Sequence, residues 1–320
     1  MQPAAGEALV RVLRVGVCGT DLHAFKGEQP MMRYPVVLGH ELAVEVLALG
    51  PQPGSSQLEV GSRCTVMPYV NCGICMACAR GLTNACENLQ VLGVHVDGGL
   101  RERFVLPTRL LIAADDLDDD QLALTEMLAI GTHAVARAQL RGDEPIAVIG
   151  LGPIGLGIIA AAAQESTRVV GVDVSPDRRE FLARTGMAMG YAAGPDLADE
   201  LREALGGELP TAVFDATGNV ASMQNAPLLA AAGGKVMLVG HTPGTLTFEN
   251  QVIHRKELSV LASRNATHAD FVRVLARLRT SSNDPREWIN VRADIPGAVA
   301  EFHDWAAGRG GLVKAMVQVA

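Results

Sequence analysis

Residues 146–155 read Ile146-Ala147-Val148-Ile149-Gly150-Leu151-Gly152-Pro153-Ile154-Gly155. A short apolar run, β-branched at Ile146, Val148 and Ile149, predicts a buried strand. The glycines that follow form G-x-G-x-x-G and open a helix, with Pro153 suited to its first position. The glycine pattern alone is common. Here a strand precedes it, a helix follows, and Asp173 ends the next strand twenty-three residues after Gly150. That context is the dinucleotide-binding fingerprint, in which the backbone approaches a pyrophosphate resting on the helix N-terminus. Gly150, Gly152, Pro153, Ile154 and Gly155 are therefore candidate cofactor-binding residues. Asp173 would accept hydrogen bonds from ribose hydroxyls and repel a 2′-phosphate, which favours NAD over NADP. Arg178 and Arg179 lie close enough in sequence to temper that preference, and Asp173 could instead serve only as an acid ahead of the next helix.

C-terminal to the loop, strand and helix patterns alternate. A strand is expected over 168–172, then Ser175-Pro176 as a helix cap with Pro at the first position. Strands are expected over 212–215 and 235–239, with a helix between them. This alternation predicts a doubly wound parallel sheet. Thr217, Val239 and Gly240 follow strand ends, where open α/β sheets bind ligands, so they join the cofactor candidates on the nicotinamide half. Arg264 and Asn265 are further candidates for contacting cofactor or substrate. Phe271, Val274, Leu275 and Leu278 mark a later helix. Pro296 starts a last helix, and residues 314–319 form a closing strand expected to rejoin the first domain.

The N-terminal third has a different pattern. Residues 8–17 alternate and are rich in Val, predicting a strand; 36–38, 43–49, 63–68 and 104–105 predict further strands. The stretch 50–56, Gly-Pro-Gln-Pro-Gly-Ser-Ser, reads as a loop. This region suggests a small β barrel. The run Asp115-Asp116-Leu117-Asp118-Asp119-Asp120 reads as the acidic start of a helix over 119–140 rather than as a cation site. The domain division that follows is 1–117 with 288–320 for the β domain, and 118–287 for the dinucleotide domain.

Composition narrows the function classes. The chain has 320 residues, 48% hydrophobic, with a net charge of −8. That length suits two domains. The acidic balance disfavours nucleic acid and anionic membrane as partners. Gly, Pro or charge interrupts every long apolar run, so no membrane span is expected. Without a basic-then-apolar leader, the expectation is a cytoplasmic protein acting on a small molecule.

Two constellations carry metal chemistry. Cys72-x2-Cys75-x2-Cys78-x7-Cys86 can close a tetrahedron of thiolates around a structural zinc. The ferredoxin run, with x3 before its fourth Cys and Pro after it, does not match. Four thiolates leave no open position, so this metal would hold a loop. Cys64 lies outside the spacing and reads as a buried thiol. The second constellation is Cys18-Gly19-Thr20-Asp21-Leu22-His23 followed by Gly39-His40-Glu41. Cys18 and His40 are suited to a catalytic zinc, which takes three protein ligands and keeps a fourth position open.

Cys18, Gly39-His40-Glu41, the four-cysteine loop and the later G-x-G-x-x-G together resemble the zinc-dependent medium-chain dehydrogenases, closest to their polyol, threonine and sugar-acid branch. The resemblance implies a GroES-like β-barrel catalytic domain beside a Rossmann domain, NAD, and two zinc ions per chain. It implies Cys18, His40 and Glu126 as ligands of the catalytic zinc, Glu126 standing in Glu126-Met127-Leu128 where the branch has a Glu-Pro-Leu-like segment. Glu41 would be a neighbouring carboxylate able to approach the metal during exchange. Thr20 would pass on the substrate proton and His23 would receive it through the nicotinamide ribose. The reaction implied is oxidation of a secondary hydroxyl of a polyol, sugar acid or hydroxy-amino acid, in a homotetramer or homodimer. Family members usually begin earlier, with the first strands of the catalytic domain, so a longer native N-terminus is expected; without those strands barrel edges would be exposed. Two other readings are a zinc-ribbon nucleic-acid binder, opposed by the acidic charge and the intact glycine loop, and a catalytically impaired cofactor-binding homologue.

Overall fold

The structure, a computed structural model, describes residues 2–29, 32–51 and 58–320. In chain order it contains β1 (Glu7–Val17), α1 (Gly19–Phe25), β2 (Glu41–Leu49), β3 (Arg63–Val66), β4 (Tyr69–Val70), α2 (Met76–Ala79), β5 (Gln90–Val91), β6 (Arg103–Pro107), β7 (Leu111–Ala113) and α3 (Asp119–Ala138). Then come β8 (Ile146–Ile149), α4 (Pro153–Ala162), β9 (Val169–Asp173), α5 (Pro176–Thr185), β10 (Met189–Ala192), α6 (Leu197–Ala204), β11 (Ala212–Asp215), α7 (Val220–Leu229), β12 (Lys235–Leu238), α8 (Asn250–Arg255) and β13 (Ser259–Ala262). The chain closes with α9 (His268–Leu278), β14 (Ile289–Asp294), α10 (Ile295–Ala306) and β15 (Lys314–Gln318). It divides into two compact units, Met1–Glu126 with Thr267–Ala320, and Met127–Ala266.

The first unit is built on β1. One flank pairs antiparallel with β2, while the other pairs with β6 at its start and β15 at its end. The sheet continues as β14-β15-β1-β2-β3-β7. β1 can branch this way because it is long, and Val10, Val12 and Val15 all turn into the core. The C-terminal strand thus joins the first, as its sequence led us to expect. One expected strand is absent: residues 36–38 are irregular. Gly39 takes φ +99°, and the carbonyls of 37–39 accept from the amides of 98–100, so the segment lies against a glycine turn instead of a ladder. Part of the expected loop over 50–56 lies outside the described residues.

The second unit is a parallel sheet ordered β10-β9-β8-β11-β12-β13. β8, β9 and β11 are buried throughout, which is why they read as unbroken apolar runs rather than alternating ones. Leu201 of α6 and Ala226 of α7 are fully buried against this sheet. The strand order reverses between β8 and β11, and the crevice at such a point is where open sheets take ligands. β10, α6, α8 and β13 were not anticipated from the sequence; all are short, and β10 and β13 expose their ends. Helix α4 ends at Ala162.

The unit boundaries differ from the division at 117/118 and 287/288. The first falls inside α3, after Glu126. The second precedes α9, whose Phe271 packs edge-on against Tyr69 of the first unit. The acidic run does start α3, and it also gathers arginines: Asp116 pairs with Arg279, Asp118 with Arg286, Asp119 with Arg63, and Asp120 with Arg14 and Arg292.

Candidate active site

Cys18 caps α1 at the end of β1, and His40 and Glu41 stand where β2 begins. The pairing of β1 with β2 sets Gly16 opposite Glu41 and so brings the Cys18 and His40 segments together. One ligand atom each of Cys18, His40 and Glu41 lies within 4.8 Å of the others. Glu126 is not in that trio. It sits buried on α3, near enough that its charge acts on His40 and the charge of Glu41 acts on it.

The two carboxylates are held differently. Glu41 Oε2 accepts from Lys314 Nζ, and both side chains are 1% exposed. Lys314 also donates to the Val17 carbonyl at 3.1 Å. Gly16 has no alternative here, since a Cβ on it would overlap Glu41 Oε2. Glu126 Oε1 accepts from the Tyr69 hydroxyl, whereas its Oε2 is buried without a partner. Asp21 Oδ2 accepts from the Cys18 amide at 2.9 Å, and Asp21 Oδ1 stands 3.6 Å from His40 Nδ1.

Burial raises the Glu126 carboxyl to about 7, with Glu41 adding to the rise and His40 opposing it. Burial likewise raises Asp21. Burial works to lower His40, but Asp21, Cys18 and Glu126 together lift it well above the usual histidine value. The Cys18 thiol, the His40 imidazole and the Glu41 carboxylate thus converge, with the buried Glu126 Oε2 near them and without a partner. A buried polar atom left unpaired is costly. Such a set of N, O and S donors fits a zinc ion, which replaces the protons these groups would otherwise hold.

The four sulfurs of Cys72, Cys75, Cys78 and Cys86 also lie within 4.8 Å of one another. Zinc–sulfur bonds of about 2.3 Å give a tetrahedron with edges of about 3.8 Å; Cys75 and Cys86 Sγ are 3.9 Å apart. Amides of Ile74 and Cys75 hold the Cys72 thiol down at about 6, so it is readily a thiolate. Gly73 and Gly81 take φ +75° and +77°, which permits the tight turns of this loop. Cys64 is fully buried away from it, and burial pushes its thiol up to about 12.

Thr20 and His23 are one turn apart on α1, a short helix the sequence did not reveal. Thr20 is half-buried; His23 is exposed, its Nδ1 3.2 Å from Glu28.

In the second unit the glycine loop leaves β8 at the strand-order reversal. Gly150 takes φ +92°, and a Cβ on Gly155 would strike the Gly150 carbonyl, so the turn admits only glycine at both places. Pro153 and Ile154 begin α4 behind it. Asp173 ties the loop to β9: its Oδ2 accepts from Leu151 N at 2.7 Å and its Oδ1 from Ser175 N at 2.8 Å. Arg179 is spent on the Asp173 and Val174 carbonyls, while Arg178 places its guanidinium beside Gly152. Thr217 lies against Gly150, with its hydroxyl donating to Asp215. Val239 and Gly240 both donate their amides to the Asp215 carbonyl, and Gly240 is packed on Gly218 with no space for a side chain. Three residues escaped sequence reading: Asp21, Tyr69 and Lys314. Lys314, a lone charge opening an apolar strand, was the most visible of them.

Comparison with known proteins identifies the family. Residues 4–116 match the family model of the alcohol dehydrogenase GroES-like domain, and residues 153–280 that of the zinc-binding dehydrogenases. The L-galactonate-5-dehydrogenase of Escherichia coli K12 is 43% identical over 273 residues, 85% of this chain and 80% of that protein. The fold superimposes with a TM-score of 0.90 on the alcohol dehydrogenase RspB of Escherichia coli CFT073 complexed with NADH, at 28% identity over 100% of this chain and 94% of that one. A zinc-binding dehydrogenase of Sinorhizobium meliloti bound to NADP gives 0.88, also at 28% identity and with the same coverage. The chain belongs to the zinc-type medium-chain alcohol dehydrogenases, in their polyol and sugar-acid branch.

Proposed function

We propose that this protein is an NAD-dependent dehydrogenase that oxidises a secondary hydroxyl of a sugar acid or polyol. The observation that carries this reading is the half-buried Cys18 beside the buried His40, with the buried Glu126 Oε2 left unpartnered near them. Lys314 already neutralises Glu41, so Cys18 and Glu126 are the anions left to balance a divalent cation. Zinc bound there would supply Lewis-acid activation of the substrate hydroxyl, and a bound nicotinamide the hydride acceptor. Cys72, Cys75, Cys78 and Cys86 would hold a second, structural zinc.

The chain's own part is to bind, orient and move the proton. The Thr20 hydroxyl would accept the substrate proton while giving up its own, by way of the nicotinamide ribose, to His23, which is exposed and can release it to solvent. The Asp21 carboxylate, 3.6 Å from His40 Nδ1, orients the imidazole by its charge and leaves the other ring nitrogen for the metal. Glu41, held by Lys314, stays beside the ligands as a carboxylate that can approach during exchange. Asp173 fastens the glycine loop and keeps lone pairs for the ribose hydroxyls. The sugar-acid preference rests on the 43% identity to L-galactonate-5-dehydrogenase.

The test is absorbance at the reduced-nicotinamide band with L-galactonate, other aldonates, sorbitol and threonine, each with NAD and NADP. Turnover of an aldonate or polyol with NAD is expected. A zinc-loaded protein that binds NADH yet turns over no hydroxyl substrate would point to the impaired homologue instead.

A further inference from the structure

The Tyr69–Glu126 contact is unaccounted for by the ligands alone. Tyr69 is 3% exposed on β4, and Glu126 is 2% exposed on α3. The hydroxyl donates to Glu126 Oε1, and the ring is fixed edge-on against Phe271 with centroids 6.2 Å apart. A carboxylate with one oxygen tied and the other, Oε2, buried and unpartnered has a single direction in which to offer a lone pair. β4 leads within two residues into Cys72, so the strand that carries Tyr69 is anchored by the four-cysteine loop.

We propose that Tyr69 is a positioning residue for the catalytic metal: its hydroxyl holds Glu126 Oε1 so that Oε2 faces the ion bound by Cys18 and His40. The proposal rests on the reading of Glu126 as a zinc ligand. Groups that hydrogen-bond a metal-ligating carboxylate fix its orientation, and losing one typically costs about 10–100-fold in metal affinity. The geometry also links the two cysteine sites: ordering the four-cysteine loop fixes β4, and β4 in turn fixes Glu126.

The experiment measures zinc release from the full-length, zinc-loaded protein into a chromophoric chelator. The parent is expected to release two zinc ions in two phases, and Cys18→Ser to lack one phase. If Cys18→Ser retains both phases, the metal-site reading fails and the role of Tyr69 falls with it, whereas an altered Cys18→Ser with an unaltered Tyr69→Phe sinks the role of Tyr69 alone. Tyr69→Phe keeps the ring against Phe271 and removes only the donor. It is expected to release the Cys18-dependent zinc at least about tenfold faster while the four-cysteine zinc is unchanged. Equal rates for that phase in Tyr69→Phe and the parent overturn the proposal. Tyr69→His and Tyr69→Leu give an independent comparison of similar size, with and without a ring N–H donor. Slower release from Tyr69→His supports the proposal, and equal release from both overturns it, whether or not Tyr69→Phe folds. A melting scan of each zinc-free variant separates a change of fold from a change at the metal.

Discussion

The most exacting demands on single residues fall around Glu41. A buried cation on one side and a glycine on the other define its position. Removing only the cation, as in Lys314→Met, leaves a carboxylate buried without its partner, and such losses cost about 3–5 kcal/mol. Denaturant titration of the variant is expected to show a loss of that order. A loss below about 1 kcal/mol, the range of surface pairs, would mean that the pair is not buried in solution. The parent is expected to hold two zinc ions and Cys18→Ser one, with loss of turnover; metal analysis decides it, and two zinc ions in the variant would refute the assignment. At the cofactor, Asp173→Ala removes a charged acceptor of the kind worth about 1.5–3 kcal/mol. The ratio of kcat/KM for NADP over NAD is expected to rise by about tenfold or more, since Arg178 beside Gly152 remains to meet a 2′-phosphate. An unchanged ratio would remove Asp173 from the ribose site. Most of these residues were visible in the sequence because motif spacing is local: Cys18 with Thr20 and His23, Gly39 to Glu41, and the glycine loop. Tyr69 and Lys314 were not, because their partners stand 57 and 273 residues away.

Elements behave according to how they bury their faces. Strands β8, β9 and β11 were legible as unbroken apolar runs, since helices cover both faces of a parallel sheet. Helix α9 was legible from Phe271, Val274, Leu275 and Leu278, all buried. Helix α6 was not, yet Leu201 is fully buried on it; Leu201→Ala is expected to cost about 2–5 kcal/mol in the same titration. The turn between α3 and β8 gives a pH prediction. Asp143 accepts from the Thr167 amide and the Ser166 hydroxyl, which hold its carboxyl below the unfolded value of 3.8. A depressed folded pKa means a contribution present in full above the unfolded value and lost as pH falls through the folded one. Asp143→Ala is therefore expected to be less stable than the parent at about pH 7, with the difference shrinking by about pH 3. A difference independent of pH would assign the loss to something other than the charge.

For the whole molecule, both candidate metal sites fall in one unit and the glycine loop in the other. Removing zinc with a chelator is expected to abolish turnover while NADH fluorescence titration still shows binding, because the residues of the glycine loop draw on no metal. Loss of NADH binding on chelation would show the nucleotide unit to depend on the metals. The sequence by itself determined the architecture: the G-x-G-x-x-G between strand and helix, the cysteine spacing and the change of hydrophobic period are all short-range signals, and each was placed correctly within its element. It could not fix the strand at 36–38, where Gly39 and a distant glycine turn take the hydrogen bonds. It could not show that the acidic run gathers five arginines, Arg14, Arg63, Arg279, Arg286 and Arg292. Nor could it choose how two glutamates share one site. Only the tertiary structure set Lys314 against Glu41 and Tyr69 against Glu126, because what a buried carboxylate can do depends on which charges and donors surround it, and those arrive from strands and helices far apart in the chain.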